Sequence, residues 1–310
     1  MPRPLLATEN SRRRAKHSQE IERKFGHPGD LLGELQRRIQ EDAITRFGVV
    51  EADWLRLMWS LDAFRVAGIP PRAMGKHTVE PTRRLAAIYR SKGNWFATIL
   101  ALLLQNRTDQ PIRPRTKVQG FSQEHQIDLA WPVRSEDPLV CVETKVTGAP
   151  AYGSTPARSA MSDFSNRRKE LKFAATDLKL FRRQQETSIH HWGTWREKAA
   201  PKTYFLWAAR LRTGGQSPDL INKLVTEAQA LVNTYLEGAG LVAWKDRPGG
   251  GYQAVALPRA AKVMDLDDVL YRIESEIKAG VQPDGQPPPP VRPARKVVDV
   301  HKLEADPEEE

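Results

Sequence analysis

At 310 residues, 40% hydrophobic and 28% charged, the chain can bury the core of one large domain or two small ones. Its longest apolar run, Ile99 to Leu104, falls far short of the roughly 20 residues that span a bilayer, and no apolar signal-peptide segment opens it. The sequence therefore predicts a cytoplasmic protein with no membrane partner. The lone Cys141 excludes an intrachain disulfide and a CxxC zinc site, while a net charge of +10, despite an acidic "EADPEEE" end, points to a polyanionic partner, nucleic acid first.

Residues 1–29, with "SRRRAKHSQEIERK", hold few large apolar side chains and read as a disordered basic arm. Residues 30–79 read as a helical N-terminal extension. Leu31, Leu35, Ile39, Ala43 and Phe47 recur every four residues, which predicts one helical face broken at Gly48. Trp54, Leu57, Met58, Leu61 and Phe64 predict a second helix with a core-facing stripe. "GIPPRAMG" reads as a turn.

Residues 80–280 read as an α/β domain. "EPTRRLAAIYRSKG" predicts a helix with Pro81 in its first turn, ended by Gly93. "NWFATILALLLQN" is apolar on nearly every side, as a helix packed on a sheet should be. "QIDLAWP" and "PLVCVETKV" predict two strands, followed by a Gly/Ser/Pro loop at 148–159 and a polar helix over 160–186. "KTYFLWAARL" predicts another strand. A helix between Ser217 and Gly238 follows, then a hairpin in "LVAWKDRPGGGYQAVAL" and a last helix in "DLDDVLYRIESEIKAG". Residues 281–310, with "PPPP" and the acidic end, read as a disordered tail.

The two strands pose a chemical problem. Alternation puts Leu139, Cys141, Glu143 and Lys145 on one face and Val140 and Val142 on the other. In the first strand Ile127, Leu129 and Trp131 oppose Asp128 and Ala130. If the strands pair as a hairpin, Asp128 faces Glu143. Two such acids repel, and burial raises the pKa of both. A hard divalent cation would reconcile them, because Mg²⁺ takes one or two carboxylates together with water and phosphate oxygens. Lys145, on the same face, could orient a water or neutralise charge on a phosphoryl transition state. The competing reading is a buried Asp/Glu–Lys ion pair.

A helix, then "IDLAWP…LVCVETKV", then a helix resembles the core of the PD-(D/E)XK nuclease superfamily, the restriction-endonuclease-like fold. The resemblance covers about residues 80–210: Asp128 matches the first acid and Glu143-Thr144-Lys145 the (D/E)XK. It implies an αβββαβ core with a mixed sheet flanked by helices, Mg²⁺ (or Mn²⁺) dependence and nucleic-acid cleavage. Asp128, Glu143 and Lys145 would be catalytic, and the Thr144 carbonyl would join Asp128 and Glu143 on the metal. The sequence departs from the family in having Ile127 where a proline is usual. It also lacks an acid in "GNWFATILALLLQN"; Glu80 and Glu124 are the candidates for a third acid, with Asn94 or Gln105 as stand-ins.

Between Arg158 and Arg183 stand eight Lys or Arg against three acids. Arg167, Arg168, Lys169, Lys172 and Lys179 are the candidate nucleic-acid contacts, set against the alternative of a solvated helix face. His190-His191 lacks a third ligand at metal spacing, "RPGGGY" lacks the lysine of a P-loop, and "QPPPPVRP" reads as a linker. The expectation is a Mg²⁺-dependent endodeoxyribonuclease acting on DNA rather than RNA, with defence against foreign DNA suggested by family association. It would work as a homodimer or with a separate partner subunit. The alternative is a non-catalytic DNA-binding or scaffold protein on an inactivated nuclease fold.

Overall fold

The computed structural model describes residues 20, 22–66, 81–134, 138–151, 156–162, 164–189, 200–214, 217–232, 234–283 and 285–287. The N-terminal arm up to residue 19, the "GIPPRAMG" turn, Glu80, His190-His191 and the "PPPP" tail lie outside them. Two helices, α1 (Pro28–Glu41) and α2 (Phe47–Val66), lead into α3 (Pro81–Thr108). Strands β1 (Arg113–Gln119), β2 (Glu124–Trp131) and β3 (Val140–Thr147) follow, then α4 (Phe164–Ile189) and β4 (Lys202–Arg210). Helix α5 (Ile221–Val232), strands β5 (Gly238–Asp246) and β6 (Tyr252–Val255), a 3-10 turn at Arg259–Met264 and α6 (Leu266–Gly280) complete the order.

The strands form one six-stranded mixed sheet in the order β1-β2-β3-β4-β5-β6. β1, β2 and β3 are antiparallel, β3, β4 and β5 run parallel, and β6 returns antiparallel. The parallel pairs need crossover connections, which α4 and α5 supply. Both faces are covered, which explains why "TYFLWAAR" in β4 is buried along its whole length. Tyr204, Leu206 and Ala208 join the cluster built with α1, α2, α3 and α6, whereas Phe205, Trp207 and Ala209 join the one under α4 and α5. The apolar stripe of α2 and the near-continuous apolar surface of α3 merge in the first cluster, so the N-terminal helices share a core with the sheet.

Several expectations from the sequence need correction. β1 reads as polar because it is an edge strand: Arg113, Arg115 and Lys117 point to solvent and only Thr116 and Val118 are buried, an arrangement that discourages edge-to-edge pairing. Gly93 does not end a helix. α3 runs through it, since one glycine costs about 1 kcal/mol, which packing of the apolar face outweighs. The break before α2 falls at 42–46, where Ala43 takes a left-handed φ of 47°, and Gly48 lies inside α2. Phe47 therefore opens α2, with its amide donating to Asp267 of α6 (2.6 Å). α5 begins at Ile221 rather than at Ser217. Its end is Val232, and Gly238 instead starts β5, close against Tyr204.

Beneath α3 lies a buried ion pair. The Lys92 ammonium donates to Asp62 of α2, with 1% and 2% of the two side chains exposed. The Tyr252 hydroxyl donates to the other Asp62 oxygen at 2.7 Å. Burial, and then the Asp62 charge, hold the Tyr252 hydroxyl well above its ordinary pKa, so it remains a donor. This network ties α2, α3 and β6 together. Lys92→Met should leave a buried carboxylate without its cation and lower urea-unfolding stability by about 3–5 kcal/mol. Tyr252→Phe should cost about 1–3 kcal/mol, since Asp62 keeps its lysine. A Lys92→Met protein as stable as wild type would show that the pair contributes nothing net.

Candidate functional site

The site begins where β2 and β3 part. Their ladder holds only from Leu129↔Val142 to Trp131↔Val140. Beyond it the Thr144 amide no longer meets a backbone acceptor on β2. Asp128 Oδ2 takes that place, accepting from Thr144 N (2.8 Å) and Thr144 Oγ1 (2.9 Å). The distortion is shared with β1: directly across from Asp128, Arg115 has a left-handed φ of 65°, and theirs is the one pair missing from an otherwise unchanged β1–β2 register.

Side-chain alternation slips at the same point, which corrects the expected facing. Ile127 packs with Val118, Ala130, Cys141 and Leu178, while Leu129 and Trp131 pack on the opposite side with α3. Leu139, expected beside Cys141, also joins the α3 side. Cys141 itself is buried, and desolvation pushes its thiol up, which disfavours the thiolate that a nucleophile or metal ligand needs.

Glu143 and Lys145 do share the face expected of them, with Lys145 Nζ 3.7 Å from Glu143 Oε2. Their side chains are 20% and 29% exposed. Burial, reinforced by the Asp128 charge and only partly opposed by Lys145, raises the Glu143 carboxyl to a pKa of about 8. Glu143 therefore stands within the field of the Asp128 charge.

The residues present fit a hard divalent cation. Among the described residues, Asp128 Oδ1 has no hydrogen-bond partner, and Glu143 has only the lysine. A strand residue's amide and carbonyl point to the same side. The Thr144 carbonyl thus faces the gap that its amide shares with Asp128. These are oxygen donors, the type Mg²⁺ selects. No three His, Cys, Asp or Glu side chains converge at metal-binding separation among the described residues. The protein's contribution would be two carboxylates, with Thr144 as a third donor.

A cleft of about 280 Å³ opens on this point. Asp128, Thr144 and Lys145 form its sheet side, while Arg90, Gly93 and Asn94 of α3 face them. Gly93 has no atom within 4 Å of where a Cβ would stand, so its lack of a side chain keeps that wall open. Arg158 and Ser159 enter from the loop after β3 and Arg167 from the start of α4. That loop is pinned: Ala149 and Arg158 exchange backbone hydrogen bonds at 3.0 and 2.8 Å, and Asp219 accepts from Ser159 Oγ and from the Ala160 amide (2.9 Å).

The cations of α4 divide by helical face. Arg167 lines the cleft and pairs with Glu170 at 2.6 Å. Arg168 turns to Glu227 of α5 (3.1 Å), Lys172 lies 4.5 Å over the Tyr235 ring, and Lys179 donates to Tyr235 O (3.0 Å) and Glu237 (2.8 Å). Lys169 is exposed, with no partner among the described residues. Glu124 is no third ligand: it starts β2, four residues from Asp128, and pairs with Lys117 at 2.8 Å. Of the stand-ins, Asn94 reaches the cleft; Gln105, three turns along α3, does not line it. Arg90 carries no sequence signal of its own, and Arg158 and Glu170, which adds to the negative field on Glu143, are marked in the sequence only as members of the charged 158–183 run. Only their proximity in the fold assigns them. No protein-family model, curated protein or solved structure matches the chain significantly.

The Glu143 shift has a signed consequence. In chelator, the unfolded state releases this proton near pH 4.5, whereas the folded state keeps it up to about pH 8. Between those values the folded state binds more protons, so stability should fall as pH rises. Guanidinium unfolding at pH 5, 6.5 and 8 should show that fall, and Glu143→Gln should flatten it. An unchanged slope in the variant would assign the pH dependence to other groups.

Proposed function

We propose that the chain is a metal-dependent nuclease hydrolysing phosphodiester bonds in DNA, on a restriction-endonuclease-like core. One observation carries the reading: Asp128 lies within electrostatic reach of Glu143, Lys145 stands beside Glu143, and Asp128 and Lys145 line a cleft whose other walls bring Arg90, Arg158 and Arg167, with Glu143 in the hollow that adjoins it at Lys145. The succession α3-β1-β2-β3-α4-β4, with an antiparallel meander and β4 parallel to β3, supports the fold assignment, since it is the αβββαβ order that the resemblance implies.

Asp128, Glu143 and the Thr144 carbonyl are the residues that would hold Mg²⁺ or Mn²⁺. The ion would supply Lewis-acid stabilisation of the phosphoryl oxygens. The Thr144 amide and hydroxyl fix the Asp128 carboxylate, so one of its oxygens stays directed to the gap. Lys145 places an ammonium where negative charge develops during in-line attack by water. Arg90, Arg158 and Arg167 hold the flanking phosphates, and their spread over three elements sets the strand's path through the cleft.

A non-catalytic DNA-binding protein is the second reading. It is favoured by Arg90 and Asn94, which occupy the helix side of the cleft in place of an acid. Incubation of plasmid, linear DNA and RNA with Mg²⁺ or Mn²⁺, with and without chelator, separates the two. The nuclease reading expects chelator-sensitive cleavage, abolished by Asp128→Asn and slowed at least about a hundredfold by Lys145→Ala, with affinity in Ca²⁺ nearly unchanged. A wild-type protein that binds DNA and cuts nothing would establish the scaffold, and cleavage confined to RNA would reassign the substrate.

The same cleft predicts which cations matter for binding. Arg90→Ala with Arg167→Ala should reduce the slope of log affinity against log salt by about 0.9 for each duplex phosphate that is no longer neutralised. Lys172→Ala with Lys179→Ala should leave the slope unchanged and lower Tm, because both side chains are engaged within the chain. The opposite pattern would move the binding face to the outer side of α4.

A further inference from the structure

We propose that the hollow adjoining the acid pair is a nucleobase subsite, which takes one unpaired base of the strand being cut. The proposal rests on the nuclease reading for the position of the phosphate. The hollow measures about 200 Å³ and has Glu143 and Lys145 on its floor. Lys145 lines the cleft as well, so the two spaces meet at its side chain.

The remaining walls suit an aromatic heterocycle. From α4 comes Phe173, 49% exposed, whose one ring neighbour among the described residues is His125, edge-on at 5.6 Å. An aromatic ring open to solvent at the mouth of a pocket is a stacking surface, and stacking tolerates any base. Gln123 and Gln126 face it from the β1–β2 turn and β2. Amide donors and acceptors are the groups that read the exposed edge of an unpaired base; Gln123 offers both, whereas Gln126, whose oxygen accepts from Arg115 at 3.1 Å, offers its donors. Glu170, whose Oε2 accepts from Arg167 at 2.6 Å, keeps Oε1 to accept from an exocyclic amine. A pocket meant only for phosphate would have no use for Phe173 and would be harmed by Glu170.

The hollow is also rigid, which lowers the entropy cost of ordering a ligand. His125 Nε2 lies 2.7 Å from Asp177 Oδ2, and Asp177 Oδ1 accepts from the Ser122 amide (2.9 Å) and hydroxyl (2.8 Å). Burial would raise the Asp177 carboxyl, but the hydrogen bonds from His125 and Ser122 outweigh it and hold the group below its ordinary value. The Phe121 amide donates to the Asp177 carbonyl at 3.1 Å. Gly120 allows this approach, since a Cβ there would stand 2.1 Å from Asp177 Oδ2. The turn is thus fixed to α4, with His125 held edge-on against Phe173. A space of this size accommodates one ring system, and the stacking face and amide groups lining it are reached by a base that enters unpaired, from a single strand or a frayed end.

The test is fluorescence anisotropy of the full chain in Ca²⁺ with three probes: a labelled single-stranded deoxyoligonucleotide, the same strand made abasic throughout, and the corresponding duplex. Wild type should bind the base-bearing strand more tightly than the abasic one. Phe173→Ala should weaken binding of the base-bearing strand about tenfold, the scale of removing one stacked ring, and leave abasic and duplex affinities unchanged. Phe173→Trp, which retains a stacking ring, should keep wild-type affinity, which separates the stacking effect from a damaged fold. Equal weakening on all probes, or no weakening on the base-bearing strand, would overturn the subsite. Mg²⁺ cleavage is measured in parallel. Cleaving wild type with an insensitive Phe173→Ala would overturn the subsite alone, whereas base-dependent weakening in a protein that never cuts would overturn the nuclease reading alone.

Discussion

Where β2 leaves β3, the Thr144 amide loses its place in the ladder and the Asp128 carboxylate takes it up. An unpaired amide at a half-buried strand edge costs free energy comparable to a lost hydrogen bond, so some acceptor is needed. Using a carboxylate has a second effect. One oxygen is consumed by Thr144, and the other is left directed at the opening that the parted strands create. The same interaction therefore closes the sheet and equips the cleft.

The position in the sheet makes this possible. β3 belongs to the antiparallel meander on one side and to the parallel run on the other. Its β4 edge stays paired over all eight residues, from Val140↔Lys202 to Thr147↔Ala209. Its β2 edge is paired over only three. The strand is thus rigidly anchored along one side while Glu143, Thr144 and Lys145 are released on the other. The site lies along the C-terminal half of β3, and the C-terminal ends of parallel strands are where open α/β sheets place ligands. Here the loop held by Asp219 and the glycine-walled face of α3 form the sides of the cleft.

The sequence made the core legible wherever burial enforced a period. Trp54, Leu57, Met58, Leu61 and Phe64 are all buried at the expected helical spacing, and β4 coincides with its apolar run, whereas β5 contains its own but starts three residues earlier, at Gly238. Asp128, Glu143 and Lys145 were legible because acids and a base in apolar strands require a reason. β1 was not, because an edge strand buries too few residues to leave an alternating pattern. Gly93 misled because a helix-breaking propensity of about 1 kcal/mol is small beside the burial of Trp95, Phe96, Ile99 and Leu100 on the same helix. The slip between Ile127 and Leu129 was illegible in principle: strict alternation assumes an unbroken ladder, and Arg115 breaks it from the neighbouring strand.

Charge totals locate a basic element without saying which of its faces a partner meets. Helix α4 carries three faces. Phe164, Leu171, Ala175 and Leu178 are buried; Arg168 turns toward α5, and Lys172 and Lys179 toward the α5–β5 connection; Arg167, Glu170 and Ala174 turn toward the cleft and the hollow beside it. The largest group of cations is the one already engaged by Glu227, Tyr235 and Glu237, where each partly buried contact offsets the desolvation of the side chain that makes it. The cleft draws its cations one at a time, as Arg90 from α3, Arg158 from the loop and Arg167 from α4. A site assembled in this way is strongly basic in space and inconspicuous in any single stretch of sequence, because the sheet, not the helix, determines where those side chains converge.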